Sequence, residues 1–157
     1  MRSTSGGPPG SPEPLPEVRF ADERLRRWLL VRGRGDKPLG RHVDGEAIRT
    51  HSSSKRPSIQ RGDTAVLYAA VWQAIFGVVE IVGYPENDPS RTRWAWRFAI
   101  RPLSVVDDLD RAPPVESAGI FPQSLWRHSH IRLTDEQFEC AAALVREAAR
   151  DGVRRPG

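Results

Sequence analysis

Residues 60–83, QRGDTAVLYAAVWQAIFGVVEIVG, decide the fold. Arg61-Gly62-Asp63 is turn chemistry, because Gly supplies a positive φ and Asp can bond nearby backbone. Thr64, Val66 and Tyr68 then alternate with Ala65, Leu67 and Ala69, which predicts a short strand apolar on both faces. Val71-Trp72-Gln73 interrupt the run. Ala74 to Val82 predicts a second strand, rich in Ile, Phe and Val as a buried pleated surface requires. Two such strands on a short link read as an antiparallel hairpin in a sheet covered on both sides. An open edge on that sheet would invite aggregation, so closure into a barrel is expected.

Upstream, Met1 to Pro16 is Pro-, Gly- and Ser-rich and reads as a disordered leader (1–16). Phe20, Leu25 and Trp28 can cover one side of a short helix, and Trp28 to Val31 reads as the first strand. Arg32 to Gly40 is a loop. Val43, Ala47 and Ile48 hint at a helical turn, and His51-Ser52-Ser53-Ser54-Lys55-Arg56 reads as a donor-rich loop feeding the hairpin. Loops held by a rigid scaffold commonly carry function.

Downstream, Tyr84 to Arg93 is a loop. Trp94 to Arg101 predicts a strand with Trp94, Trp96, Phe98 and Ile100 on the core face and an arginine row on the other. Pro102 should close it, with a short edge strand from Leu103 to Leu109 and solvated Asp107, Asp108 and Asp110 behind. Ser124 to Leu133 is a short aromatic segment, with His128 and His130 on one face if extended. Thr134 and Gln137 form a capping box. Phe138, Ala141, Ala142, Val145 and Ala149 then make the apolar stripe of a helix, with Gly152 expected to end it. Cys140 flanks the stripe as a half-buried packing residue. The whole reads as one domain, 17–152, with a frayed tail, 153–157.

Composition narrows the function. The 157 residues carry a net charge of +4 and a computed pI near 10.0, which favours a polyanionic partner. A single cysteine excludes an internal disulfide and points to a reducing cytoplasm. No apolar run approaches the roughly 20 residues that span a membrane. No metal or other cofactor is expected: the alternating His128 and His130 lack a nearby third ligand, and no hydrolase G-x-S-x-G elbow exists. Glu80, between Val79 and Ile81, either faces a polar cavity or pairs with an arginine.

The stronger constellation is aromatic plus polar. Tyr68, Trp72 and Trp126 accompany the His51–Ser54 hydroxyl and imidazole groups, and aromatic faces stack on bases for about 1–3 kcal/mol each. Trp72, where the strand pattern breaks, is the indole best placed to wall a slot for a flat heterocycle.

These features together resemble an EVE-type domain of the PUA-like superfamily, a relative of YTH readers. The resemblance rests on Trp28-Leu29-Leu30-Val31, on Arg61-Gly62-Asp63 leading to Tyr68, and on Gly77-Val78-Val79-Glu80-Ile81-Val82. It rests also on a Trp-bearing strand before Pro102 and on Arg127-His128-Ser129 ahead of a terminal helix. ASCH domains share the Gly-Asp strand. The resemblance implies an α+β fold: a mixed β-barrel of about five or six strands, flanked by short helices and a C-terminal helix, with a pocket at one mouth. It further implies a non-catalytic module that binds DNA or RNA and reads a methylated or hydroxymethylated base. The base pocket would draw on His51, Ser52, Ser53, Ser54, Tyr68, Trp72, Trp126 and Ser129, with Lys55, Arg56, Arg91 and Arg127 on phosphates. Two rivals stand beside it. One is an ASCH-like ribonuclease using Lys55, Tyr68 and Glu80; the other is a small-ligand or protein-interaction module with a degenerate pocket.

Overall fold

The computed structural model describes residues 25–33 and 37–154. The whole of the expected leader and the end of the expected tail lie outside the described residues, as does Phe20. Seven strands and one α-helix lie within them. They are β1 (Arg27–Arg32), β2 (Thr50–Ser53), β3 (Thr64–Ala69), β4 (Ala74–Ile81), β5 (Glu86–Asn87), β6 (Trp96–Val105), β7 (His130–Leu133) and α1 (Asp135–Arg154). The strand order is β2-β6-β4-β3-β1-β7, with the two-residue β5 also on β6. Only β1 and β3 run parallel; every other pair is antiparallel. This is a curled mixed sheet, a half-barrel with one C-terminal helix, and hence the α+β arrangement that the resemblance implies.

The central hairpin forms as its pattern predicts. β3 and β4 are buried nearly throughout, and Gly62 (φ 96°) makes the turn that precedes them. A register shift between Leu67 and Tyr68 leaves Phe76 as an extra residue on β4. Such a bulge bends the strand that carries the extra residue, here β4 opposite Tyr68. Gly77 opposite is needed for close approach, since a Cβ there would sit 2.7 Å from Leu67 Cδ1. Glu80 pairs with Arg101 across the β4–β6 ladder rather than facing a cavity.

One carboxylate locks the parallel pair. Asp63, 2% exposed, accepts hydrogen bonds from the Arg26 N–H (3.0 Å), the Trp28 indole Nε1–H (2.9 Å) and the Gln60 N–H (3.0 Å). The ladder then runs from Arg27↔Thr64 to Arg32↔Ala69.

Several expectations need correction. Thr50–Ser53 is a strand on β6, not a loop. Its polar side chains conceal the period-two pattern: His51 and Ser53 point inward and are buried. β6 begins at Trp96 and runs through Pro102 to Val105, because Leu103 is an extra residue at a register shift. Proline is tolerated where a bulge already interrupts the ladder. Trp94 precedes the strand with φ 56°. No separate edge strand follows; Leu109–Arg111 is a 3₁₀ turn. Asp108 is buried there and clamped by Arg41 through Nε (2.9 Å) and Nη2 (3.1 Å), which holds its carboxyl at about 2.

The capping box on α1 is reciprocal: Gln137 N–H donates to Thr134 Oγ1 (3.0 Å) and Thr134 N–H to Gln137 Oε1 (3.1 Å). Phe138, Ala141, Ala142 and Val145 are buried on the sheet, Ala149 is half-buried, and the helix continues through Arg154, past Gly152. Cys140 is exposed rather than half-buried.

Replacing Asp63 by Ala leaves three donors without their acceptor and should cost roughly 2–4 kcal/mol, while Asp63→Asn costs less. Urea unfolding monitored by tryptophan fluorescence measures this. An alanine variant as stable as the parent would remove Asp63 from its organising role.

Candidate functional site

The end strands β2 and β7 meet through side chains. Ser129, just before β7, offers its carbonyl to both the Val31 N–H (2.9 Å) and His51 Nε2 (3.0 Å). His51 Nδ1 lies 3.3 Å from Arg32 Nη1, which also donates to the Thr50 carbonyl at 2.7 Å. A carbonyl can only accept and a guanidinium can only donate, so His51 is assigned as neutral with its proton on Nε2. Burial lowers the pKa of Arg32 from 12.5, and no carboxylate pairs with it among the described residues.

A second chain of bonds has its direction fixed from one end. The Lys55 carbonyl accepts from Ser53 Oγ (2.7 Å), so Ser53 must accept from Ser129 Oγ (3.2 Å). Ser129 in turn must accept from His130 Nδ1 (2.9 Å). His130 therefore donates to Ser129, the reverse of a nucleophile and its base. Burial, and next the charge of His128, lower the pKa of His130 from 6.5. Its ring meets the Trp28 ring edge-on, with centroids 5.6 Å apart.

Beside this seam opens a cleft of about 290 Å³, lined by Val31, Tyr68, Ala70, Val71, Gln73, Pro122, Leu125, Trp126 and Arg127. The size sits at the small end of the range of ligand pockets, about 300–1,000 Å³. Tyr68 contributes from within the core, 3% exposed, and burial raises its pKa. Trp126 stands at the opposite extreme, 71% exposed, with the Arg127 guanidinium carbon 4.4 Å from its ring centroid. Gln73 (φ 54°) and Arg127 (φ 75°) both hold left-handed backbone, and Trp94 alone shares that geometry among the described non-glycine residues. Two of three such residues thus line one cleft, and strain of this kind concentrates at functional sites.

The expected pocket residues divide. Tyr68 and Trp126 line the cleft, as does Arg127 of the phosphate set. His51, Ser53 and Ser129 form the adjoining seam, half-buried Ser52 points away from it, and Ser54 is exposed past the end of β2. Trp72 does not wall the cleft: its ring packs half-buried on the core, and Nε1 donates to the Leu39 carbonyl at 2.9 Å. Lys55 and Arg56 are exposed beyond β2, Arg56 standing 5.7 Å over Trp96, whereas Arg91 sits in the Asp88–Arg91 turn outside the cleft. Lys55, Tyr68 and Glu80 do not assemble. Thr64 faces Glu80, so Tyr68 lies four residues along β3, about 13 Å at about 3.3 Å per residue. Sequence reasoning missed Arg32, Gln73, Pro122 and Leu125, none of which carries a local pattern that marks it.

The chain matches no protein-family model and no curated protein sequence. It is similar in structure to protein Atu2648 from Agrobacterium tumefaciens, at 16% identity and TM-score 0.51, covering 82% of this chain and 93% of that one. Rpa0253 from Rhodopseudomonas palustris matches at 16% identity and TM-score 0.51 over 84% and 97% of the two chains. The human THYN1 protein, solved in complex with DNA containing 5-methylcytosine, matches at 14% identity and TM-score 0.51 over 76% and 97%. These likenesses establish the PUA-like fold.

Two predictions follow from the cleft and its seam. Gln73→Gly and Arg127→Gly should each raise stability by up to about 1 kcal/mol, because glycine adopts positive φ without penalty; chemical denaturation reads the gain. The depressed His130 pKa means that the unfolded chain takes up the proton first. Its contribution to stability is therefore complete above pH 6.5 and is lost as pH falls from 6.5 through the folded value. Urea midpoints between pH 7.5 and 5 should decline, and His130→Asn should flatten the decline.

Proposed function

We propose that this chain is a non-catalytic, EVE-like nucleic-acid-binding module that takes a base, methylated or hydroxymethylated, into the Tyr68–Trp126 cleft. One observation carries the reading: an exposed indole, layered with a guanidinium, stands at the lip of a base-sized cleft held by strained backbone. The indole supplies a stacking face and Arg127 a phosphate partner, with Lys55 and Arg56 beyond β2 as further cations. The net charge of +4 suits a polyanion, and the neighbour solved with 5-methylcytosine DNA supports the same class of partner. Tyr68, desolvated in the wall, presents an apolar ring to the floor of the slot.

Fluorescence anisotropy with labelled oligonucleotides tests this. Trp126→Ala should weaken binding about tenfold or more, on the scale of 1–3 kcal/mol per stacked base. Affinity should fall steeply with salt, and Arg127→Ala should reduce that slope by about one phosphate. Equal affinity of Trp126→Ala and parent for methylated and plain strands would sink the base slot.

A further inference from the structure

Trp126 walls more than one cleft. A second, of about 350 Å³, is lined by Gln73, Glu116, Pro122, Gln123 and Trp126. The two clefts share Gln73, Pro122 and Trp126, while Arg127 lines only the first. The indole therefore borders both clefts, and the chemistry on the side of the first differs from that on the side of the second.

On the first side the walls are mostly apolar and the charge is positive. On the second, two amides and a carboxylate line the space with no cation among them. A carboxylate repels phosphate, so this cleft does not suit the backbone of a nucleic acid. It does suit a base edge: a carboxylate accepts from an exocyclic amino group, and amides offer both donor and acceptor. Glu116 is held on a frame rather than on a loose loop. Its 3₁₀ turn, Val115–Ala118, is closed by Gly119 in left-handed conformation, and the Val115 N–H donates to the Gln73 carbonyl at 3.0 Å. The same Gln73 thus ties the wall of one cleft to the wall of the other.

We infer that the second cleft takes the base next to the one in the first. The protein then reads two consecutive unpaired nucleotides, with Trp126 bordering both clefts and Glu116 selecting an amino-bearing neighbour (adenine, cytosine or guanine) over thymine. The inference rests on base binding in the first cleft and adds the identity of the neighbouring nucleotide.

The test uses the full chain and single-stranded DNA heptamers with a central 5-methylcytosine. Its two neighbours are either adenine or unsubstituted purine, which lacks only the 6-amino group. The parent should bind the adenine-flanked strand about tenfold tighter, the discrimination expected of one well-placed base-edge contact. Glu116→Ala should bind the two strands alike, and Trp126→Ala should weaken both. Equal binding of both strands by the parent, or an adenine preference that survives Glu116→Ala, overturns the inference while base binding itself stands. Absence of binding to either heptamer removes both this inference and the reading on which it rests.

Discussion

The Asp63 carboxylate is the constraint on which the rest of the molecule depends. Parallel pairs are slightly weaker per residue than antiparallel ones, and β1 and β3 form the only parallel pair in the sheet. Their strands are joined by a long excursion through β2, so no tight turn sets their register. Asp63 sets it instead, by binding the backbone at Arg26 and the indole of Trp28 at the start of β1. Everything placed by β1 inherits that alignment: Val31 at the cleft, Arg32 at the seam, and β7 on the far side.

The seam then turns a curled sheet into a site. His51 and Ser53 would be poor core residues in a strand facing hydrocarbon, but here they meet Ser129 and the Arg32 guanidinium. The bulge on β4 lies opposite Tyr68, which lines the adjoining cleft, and the left-handed residues Gln73 and Arg127 line it too. Polar closure, bulge and strained rim converge within one mouth of the half-barrel.

The parts of this fold legible in the sequence are those written in local pattern. The β3–β4 hairpin shows continuous burial, and α1 shows its cap and its stripe within one span. β2 was illegible because its inward residues are hydrogen-bonded rather than apolar, and their partner Ser129 lies 76 residues from Ser53. Pro102 misled because its tolerance depends on a register shift that the partner strand defines. Trp72 and Trp126 are alike as residues. The first is a strut because a carbonyl 33 residues away accepts its N–H, and the second stays exposed. No local pattern separates the two roles, since the difference is made by distant chain.

The way in which the half-barrel is joined has a mechanical consequence. Backbone ladders around the sheet are stiff, whereas the joint between β2 and the segment leading into β7 consists of rotatable side chains. Compliance is therefore concentrated at one point of the circumference. The bore of the mouth is set by the rotamers of His51, Ser53 and Ser129, and a chain with the same number of strands could be wider or narrower without unzipping any of them.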